Sequence, residues 1–290
     1  LETIDLPDGV TTIGGYAFSG CSSLAELEFP AELTPIQSHA FENCSALKNV
    51  VLPDGVTEIA EYVFSGCSSL ESITLPETLT RLGRSAFEGC SSLAELTIPD
   101  ACTAIGVKTF SGCSALKSIV LPDGVTSIGS SAFSNCISLK NAVLGNSLET
   151  LGNGAFEGCV LLEEIALPGP LTKIGDKAFA NCANLSSVTL GGGIQEIGSS
   201  AFFGCAALKS IAIPESVEKI GLYAFRGTSL ESAVIQGEGS WQYSDTDSGT
   251  PEVSGVIPAE ELSDPAAAAK SLSQTYAGFY LLRKTASPDV

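Results

Sequence analysis

A phenylalanine recurs every 23 residues through most of the chain. The ten positions are Phe18, Phe41, Phe64, Phe87, Phe110, Phe133, Phe156, Phe179, Phe202 and Phe225. A fixed period of about 20–50 residues is the signature of a solenoid, in which each copy stacks on the next. The sequence therefore predicts a repeat solenoid, a right-handed superhelix of ten 23-residue turns, over residues 1–235.

Each copy contains one short predicted strand. In the copy that begins at Leu47, Leu47, Val50 and Leu52 have the spacing of a strand whose alternate side chains point inward. Pro53 ends this strand because proline has no N–H for the ladder. Stacked copies would place the equivalent strands side by side, so we expect a mostly β fold with one parallel sheet along one side.

The second half of the copy is predicted to turn. Val56 and Ile59 supply a second inward pair, and Val63 and Phe64 follow on a single predicted helical or 3₁₀ turn. The residue two positions after each phenylalanine is always glycine or asparagine, the two residues that best adopt the left-handed conformation. We therefore expect a left-handed cap at Gly20, Asn43, Gly66, Gly89, Gly112, Asn135, Gly158, Asn181, Gly204 and Gly227.

Nine of the ten cysteines occupy one position of the repeat, three residues after the phenylalanine. They are Cys21, Cys44, Cys67, Cys90, Cys113, Cys136, Cys159, Cys182 and Cys205. Disulfides are an alternative, but stacked copies would hold the Cβ vectors parallel, which suits the disulfide torsion badly. The spacing also matches no zinc motif. We favour buried free thiols that act as small hydrophobes with a weak donor, and a core place for Cys102.

Composition excludes several function classes. The formal net charge of −19 is opposite in sign to a nucleic-acid-binding surface, and an anionic membrane would repel the chain. Apolar runs are far shorter than the about 20 residues of a membrane span. We therefore expect no nucleic-acid partner and no membrane insertion.

No catalytic constellation is evident. The single histidine, His39, occupies a repeat position that varies freely between copies, and this variation predicts a solvent-facing side chain. The acidic residues fall mostly in turns or at exposed strand positions. A turn column of carboxylates holding Ca²⁺ is possible, but loop solvation explains the carboxylates more simply. We predict no enzyme activity and no cofactor.

The candidate partner-binding site is the outward side of the predicted sheet, where solenoids usually bind. It is acidic near the N-terminal end and has a small apolar strip in the middle. A simpler interpretation is that small and β-branched residues suit any sheet surface. The predicted column comprises Asp5, Glu28, Val51, Thr74, Thr97, Val120, Val143, Ala166 and Thr189.

Residues 236–290 depart from the period and are predicted to cap the solenoid. Residues 236–250 are interpreted as a loop with Trp241 as a buried anchor. Asp264 and Pro265 have the order of an N-cap and a first helical residue, which predicts a helix to about Tyr276. Residues 277–283 form a candidate strand.

The repeats resemble the BspA-type (Treponema-type) leucine-rich repeats of bacterial surface proteins. The resemblance rests on phrases such as LKSIVLPDGVTSIGSSAFSNC, residues 116–136, and covers residues 1 to about 235. It implies a surface-exposed or secreted protein, a role in adhesion and no catalytic residues.

Three functions remain as hypotheses from the sequence. The first is a non-catalytic extracellular interaction module, an adhesin that binds a host matrix or bacterial surface protein. The second is a structural spacer that presents other domains. The third is a carbohydrate-binding protein, although the predicted face lacks aromatic platforms.

Overall fold

The structure, a computed structural model, describes residues 2–237, 239–245 and 254–284. As predicted, the chain forms a solenoid of stacked 23-residue turns joined by parallel pairing. The strands of the predicted sheet, which we call the face ladder, are Thr3–Asp5, Glu26–Glu28, Asn49–Val51, Ser72–Thr74, Ser118–Val120, Asn141–Val143, Glu164–Ala166, Ser187–Thr189, Ser210–Ile213 and Ser232–Ile235.

The face ladder is not the one continuous sheet that we predicted. It divides into separately paired groups of two, two, four and two strands, and residues 95–97 form no strand. Each strand has only three or four residues, so few backbone hydrogen bonds are available to hold neighbouring copies in register. Small differences between copies are therefore enough to interrupt the pairing.

The continuous ladder lies elsewhere in each copy, at the second inward pair, which is Val56 and Ile59 in the copy described above. The sequence analysis assigned no strand there. Strands of two residues pair in parallel there without interruption, and they are followed by the three C-terminal strands in an 11-stranded sheet. We call this the short ladder. Its parallel strands are Glu58–Ile59, Arg81–Leu82, Ala104–Ile105, Ser127–Ile128, Thr150–Leu151, Lys173–Ile174, Glu196–Ile197 and Lys219–Ile220.

A third line of hydrogen bonds runs along the phenylalanines. Residues 15–20 and their equivalents form the predicted short turn as single hydrogen-bonded turns with i→i−3 bonds, such as the N–H of Cys113 to the carbonyl oxygen of Phe110 at 3.0 Å, and not as a continuous helix. The N–H of Phe110 donates to the carbonyl oxygen of Ala132 at 2.7 Å, which links one turn to the next. A longer helix would direct these N–H groups along its own axis and remove the links.

The phenylalanine rings form the centre of the core. Successive rings stack nearly parallel, with centroids 5.0 Å apart for Phe133 and Phe156 and 5.7 Å apart for Phe64 and Phe87. From Phe41 to Phe225 all nine are fully buried. One copy could not bury its own ring, because each face is covered by the rings of neighbouring copies.

The cysteines form a second ladder beside the phenylalanine rings. All ten are free thiols, and every one except Cys21 is buried. From Cys44 to Cys205, each ladder thiol donates to the carbonyl oxygen of the phenylalanine 26 residues earlier, at 3.1–3.2 Å. Burial raises the pKa of Cys44 to about 11 and that of Cys136 and Cys205 to about 12. The buried ladder thiols from Cys44 to Cys205 are therefore protonated and unreactive at neutral pH.

The left-handed caps predicted two residues after each phenylalanine are confirmed, because all ten have positive φ. The structure adds a second left-handed position two residues before each phenylalanine, which the sequence analysis missed. Most residues there are not glycine. They are Tyr16, His39, Tyr62, Ser85, Lys108, Ser131, Gly154, Lys177, Ser200 and Tyr223.

After the last copy, three antiparallel strands follow the short ladder. The Tyr280–Lys284 strand pairs with Lys219–Ile220 and also with Ser240–Ser244, which in turn pairs with Gly255–Ile257. Trp241 is buried as predicted, but it lies in a strand and not in the loop that we assigned to residues 236–250. Residues 246–250 of that loop lie outside the described residues.

The C-terminal helical region also differs from its prediction. An unpredicted helix, Ala259–Ser263, precedes the Pro265–Lys270 helix, which continues as a π-helical segment, Ser271–Thr275. Asp264 is the N-cap as predicted, because its Oδ1 accepts from the N–H of Ala267 at 2.8 Å. The last strand begins at Tyr280, three residues later than predicted, because residues 277–279 are occupied by turns.

Candidate functional site

The predicted partner-binding column is exposed at every position. Alternation along each strand of the face ladder turns the central residue inward and its two neighbours outward. Pairing aligns neighbouring positions directly, as in Asp5 with Glu28, Val120 with Val143, and Ala166 with Thr189. We call the solvent-facing side of the face ladder the outward face. Its exposed column comprises Asp5, Glu28, Val51, Thr74, Thr97, Val120, Val143, Ala166 and Thr189.

Two of the three breaks in the face ladder coincide with grooves on this face. A groove of about 610 Å³ lies between Glu26–Glu28 and Asn49–Val51, with Phe29 and Lys48 in its lining. A second, of about 450 Å³, lies between residues 95–98 and the Ser118–Val120 strand. Sequence analysis missed both grooves, because nothing in the repeat pattern indicated where the pairing would stop.

The outward face changes in character along the solenoid. Asp5, Glu26 and Glu28 place exposed carboxylates at its N-terminal part. In the middle, Val120 and Val143 are adjacent in the ladder and are 61% and 56% exposed. An acidic region and an apolar strip therefore share one surface, as the sequence predicted.

His39 is placed differently from its prediction. Its ring is stacked between those of Tyr16 and Tyr62, with centroids 4.4 and 4.6 Å away, and its side chain is only 22% exposed. Its Nδ1 lies 3.0 Å from Oε2 of Glu42. The 23-residue spacing of the three aromatic residues would have indicated this stack, which shares the left-handed position found in every copy.

The described residues contain no group of three or more histidine, cysteine, aspartate or glutamate side chains that could hold a metal ion. Among the same residues, no helix has the length and apolar character needed to cross a membrane.

The repeats match the model of the BspA type leucine-rich repeat region over residues 1–117 and 103–231, which together span most of the chain. The chain therefore belongs to the BspA type leucine-rich repeat family. Proteins of this kind are generally protein-interaction or structural modules and are typically non-catalytic.

Solved structures of leucine-rich repeat proteins from several bacteria are similar to this chain. One from Bacteroides ovatus is 30% identical, with 81% of this chain and 82% of that chain covered and a TM-score of 0.46. A leucine-rich cell surface protein from Faecalibacterium prausnitzii is also 30% identical, with 82% and 80% covered and a TM-score of 0.49. The leucine-rich repeat protein of T. pallidum is 24% identical, with 78% and 79% covered and a TM-score of 0.44. No curated protein gave a significant match.

Proposed function

We propose that the chain is a non-catalytic interaction module of the bacterial cell surface or extracellular space, and that its outward face binds a protein partner. One observation carries this proposal. All nine side chains of the predicted column are exposed, and none makes a hydrogen bond or ion pair with another described residue. No side-chain hydrogen bond or ion pair of the solenoid therefore occupies these positions, which leaves them free to contact a partner.

The composition of the outward face indicates what such a partner contains. The region around Asp5, Glu26 and Glu28 suits a basic segment, attracted over a Debye length of about 8 Å at physiological salt. The Val120–Val143 strip suits an apolar anchor in the same partner. We propose an adhesin that binds a host matrix or bacterial surface protein in this way.

The proposed location has support from the family and from one similar structure. Members of the BspA type are often cell-surface proteins, and the F. prausnitzii protein is described as a leucine-rich cell surface protein. We infer the same location for this chain.

A structural spacer is the second candidate, and the short ladder favours it. This ladder runs without interruption from Glu58–Ile59 to Lys219–Ile220, and the phenylalanine turns add further bonds between copies. Such bonding stiffens the solenoid, which is what a spacer requires. A spacer, however, needs no particular chemistry on its outward face.

The test is binding of the purified chain to an array of matrix proteins, plasma proteins and bacterial surface proteins. Two variants divide the outward face: E26Q/E28Q removes carboxylates, and V120S/V143S removes the apolar strip. We expect saturable binding that one or both variants weaken about tenfold, equivalent to about 1.4 kcal/mol. Binding that neither variant changes would assign the contact to another surface, and no binding by a folded chain would favour the spacer.

A further inference from the structure

One column of the repeat changes from polar to apolar halfway along the solenoid. The residue directly after each ladder cysteine is serine in the first five copies, namely Ser22, Ser45, Ser68, Ser91 and Ser114. In the next four copies it is Ile137, Val160, Ala183 and Ala206. The fold itself therefore does not require an apolar residue at this position.

The serine hydroxyls bond to the previous copy, and the apolar side chains cannot make this hydrogen bond. The hydroxyl of Ser91 donates to the carbonyl oxygen of Ser68 at 3.2 Å, and that of Ser114 donates to Ser91 at 3.3 Å. Where Ile137 and Val160 replace serine, this side-chain bond is absent. The backbone hydrogen bond between copies is kept at Val160, whose carbonyl oxygen accepts from the N–H of Asn184 at 3.1 Å, as that of Ser91 accepts from the N–H of Ala115 at 3.2 Å.

The apolar side chains are also exposed and adjacent. Ile137 is 48% exposed, Val160 is 37% exposed, and Leu161 beside it is 44% exposed. Ala183 and Ala206 continue the column and are exposed as well. We call these five residues the apolar edge. Isolated surface hydrophobes are ordinary, but contiguous ones across four consecutive copies indicate a contact surface.

The dimensions of the apolar edge match those of a helix. Neighbouring copies lie about 4.8 Å apart at strand spacing, and the stacked rings of these copies, Phe133 to Phe202, are 5.0–5.5 Å apart. An α-helix rises about 5.4 Å per turn. A helix that lies along the solenoid axis would therefore place one side chain per turn opposite each copy, over about four turns.

The charges beside the apolar edge indicate the sign of the charge that a partner should carry. Lys117 and Lys140 follow in adjacent copies, both exposed, with the Lys140 N–H bonded to the Lys117 carbonyl oxygen at 2.9 Å. Lys140 pairs with Glu163 at 3.2 Å, whereas Lys117 makes no ion pair with a described residue. Lys117, in the copy before Ile137, is therefore an exposed cation that no described carboxylate neutralises. It suits a carboxylate on the partner.

We propose that the apolar edge is a second docking surface, which binds an amphipathic helix of a partner protein that has aliphatic residues on one face and acidic residues along one flank. It is separate from the outward face and does not depend on the proposal made for that face. The apolar residues of the helix would cover Ile137, Val160 and Leu161, and its acidic flank would face Lys117.

The test uses a fluorescent synthetic helix of about four turns, with leucines along one face and glutamates along one flank. We expect saturable binding to the wild-type chain, and a loss of at least about tenfold in the I137S/V160S/L161S variant. These serines reproduce residues found in other copies on an exposed surface, so the variant keeps its fold, as circular dichroism would verify. The V120S/V143S variant of the outward face is the matched control and should bind the helix as the wild type does.

A second peptide with lysines in place of the glutamates tests the charge, and we expect it to bind more weakly. Equal binding by the triple-serine variant, or no saturable binding of the glutamate peptide, would overturn the proposal. Sedimentation velocity tests whether a second copy of the chain, and not a partner helix, covers the apolar edge. A wild-type dimer that the triple-serine variant abolishes would assign the apolar edge to a second copy of the chain and would also overturn it.

Discussion

The thiol of Cys113 donates a hydrogen bond of 3.2 Å to the carbonyl oxygen of Phe87, one turn earlier in the solenoid. The same oxygen accepts the N–H of Cys90 at 3.1 Å. One carbonyl group thus closes the turn of its own copy and binds the side chain of the next. Eight copies repeat the thiol bond, so the cysteines connect neighbouring turns without a covalent link.

Removal of one ladder thiol should destabilise the solenoid. We expect C113A to lower the free energy of unfolding by about 1–2 kcal/mol, because it deletes both a hydrogen bond and a buried sulfur atom. Urea unfolding measures the change. C21A is the control, since Cys21 is only half-buried and donates to no carbonyl among the described residues. An equal effect of both substitutions would show that the bond to the previous turn contributes nothing.

Alkaline pH should destabilise the chain through the same thiols. Burial raises the pKa of Cys136 to about 12, whereas an unfolded cysteine titrates near 8.5. Above pH of about 8.5 the unfolded state therefore binds fewer protons than the folded state, and stability falls as the pH rises toward 12. Below that pH the contribution is fully present.

Urea midpoints between pH 7 and 11 measure this decline. Each ladder cysteine replaced by serine, beginning with C136S, should make it shallower, because one buried thiol no longer titrates. A slope unchanged by several such replacements would assign the alkaline loss to other groups.

Two glycines of the same copy should each be destabilised by a methyl group, but for different reasons. A Cβ on Gly106 would lie 2.7 Å from the carbonyl carbon of Gly83, so G106A forces two neighbouring backbones apart. A Cβ on Gly112 would meet only Gly89 atoms, at an ordinary 3.7 Å, but φ there is +75°. We expect losses of about 2–3 kcal/mol for G106A and about 1 kcal/mol for G112A.

Asparagine separates the two causes. G112N should be nearly neutral, because Asn135 and Asn181 occupy the equivalent position with positive φ. G106N should be at least as damaging as G106A, because the crowding remains. Thermal unfolding of the four variants checks the order, and an equal cost for both asparagine variants would contradict it.

Glycine should stabilise the second left-handed position. Ser200 has φ of +57°, and a non-glycine residue there costs about 1–2 kcal/mol. We expect S200G to raise the free energy of unfolding by about 0.5–1 kcal/mol, after subtraction of the entropy that glycine gains in the unfolded chain. S199G is the control, because Ser199 is not among the positive-φ residues, and it should be destabilising. A loss of stability in S200G would show that its side chain matters more than its backbone.

Trp241 should hold the C-terminal strands against the last turn. It is buried, and the Arg283 guanidinium lies 4.9 Å from its ring. We expect W241A to cost about 3–5 kcal/mol and to expose the last copies to hydrogen exchange before the central ones. V256A, at an exposed position of the neighbouring strand, should have little effect. Uniform loss of protection in every copy would instead indicate a single cooperative unit.

The sequence predicted the features for which every copy has the same type of residue. It missed the features for which the copies share only a backbone conformation. The caps at Gly112 and Asn135 were predictable because only glycine and asparagine occur there. The second left-handed position was not, since His39 and Lys108 share no side-chain property and the adjacent turns impose the backbone. Two-residue strands such as Glu58–Ile59 are too short to have a period of their own.

The candidate site was predictable in part for a related reason. Alternation along each strand predicted that the outward column is exposed. Val120 and Val143, for example, each lie beside an inward residue of their own strand. The grooves depend on where the pairing between copies stops, and this is a property of two copies together. The apolar edge was also missed, although the change from Ser114 to Ile137 is visible in the printed sequence.

The reversal of direction at Tyr280–Lys284 has a consequence for how separate molecules meet. Surfaces that stack within one chain would also stack between chains, and an open edge of parallel strands is a template for polymerisation. Here that edge is closed by antiparallel strands, the last of which, Gly255–Ile257, has three residues and is followed at once by Pro258. A short strand and a proline are poor templates for a further chain. The C-terminal strands thus protect the folded protein from fibre growth at this end.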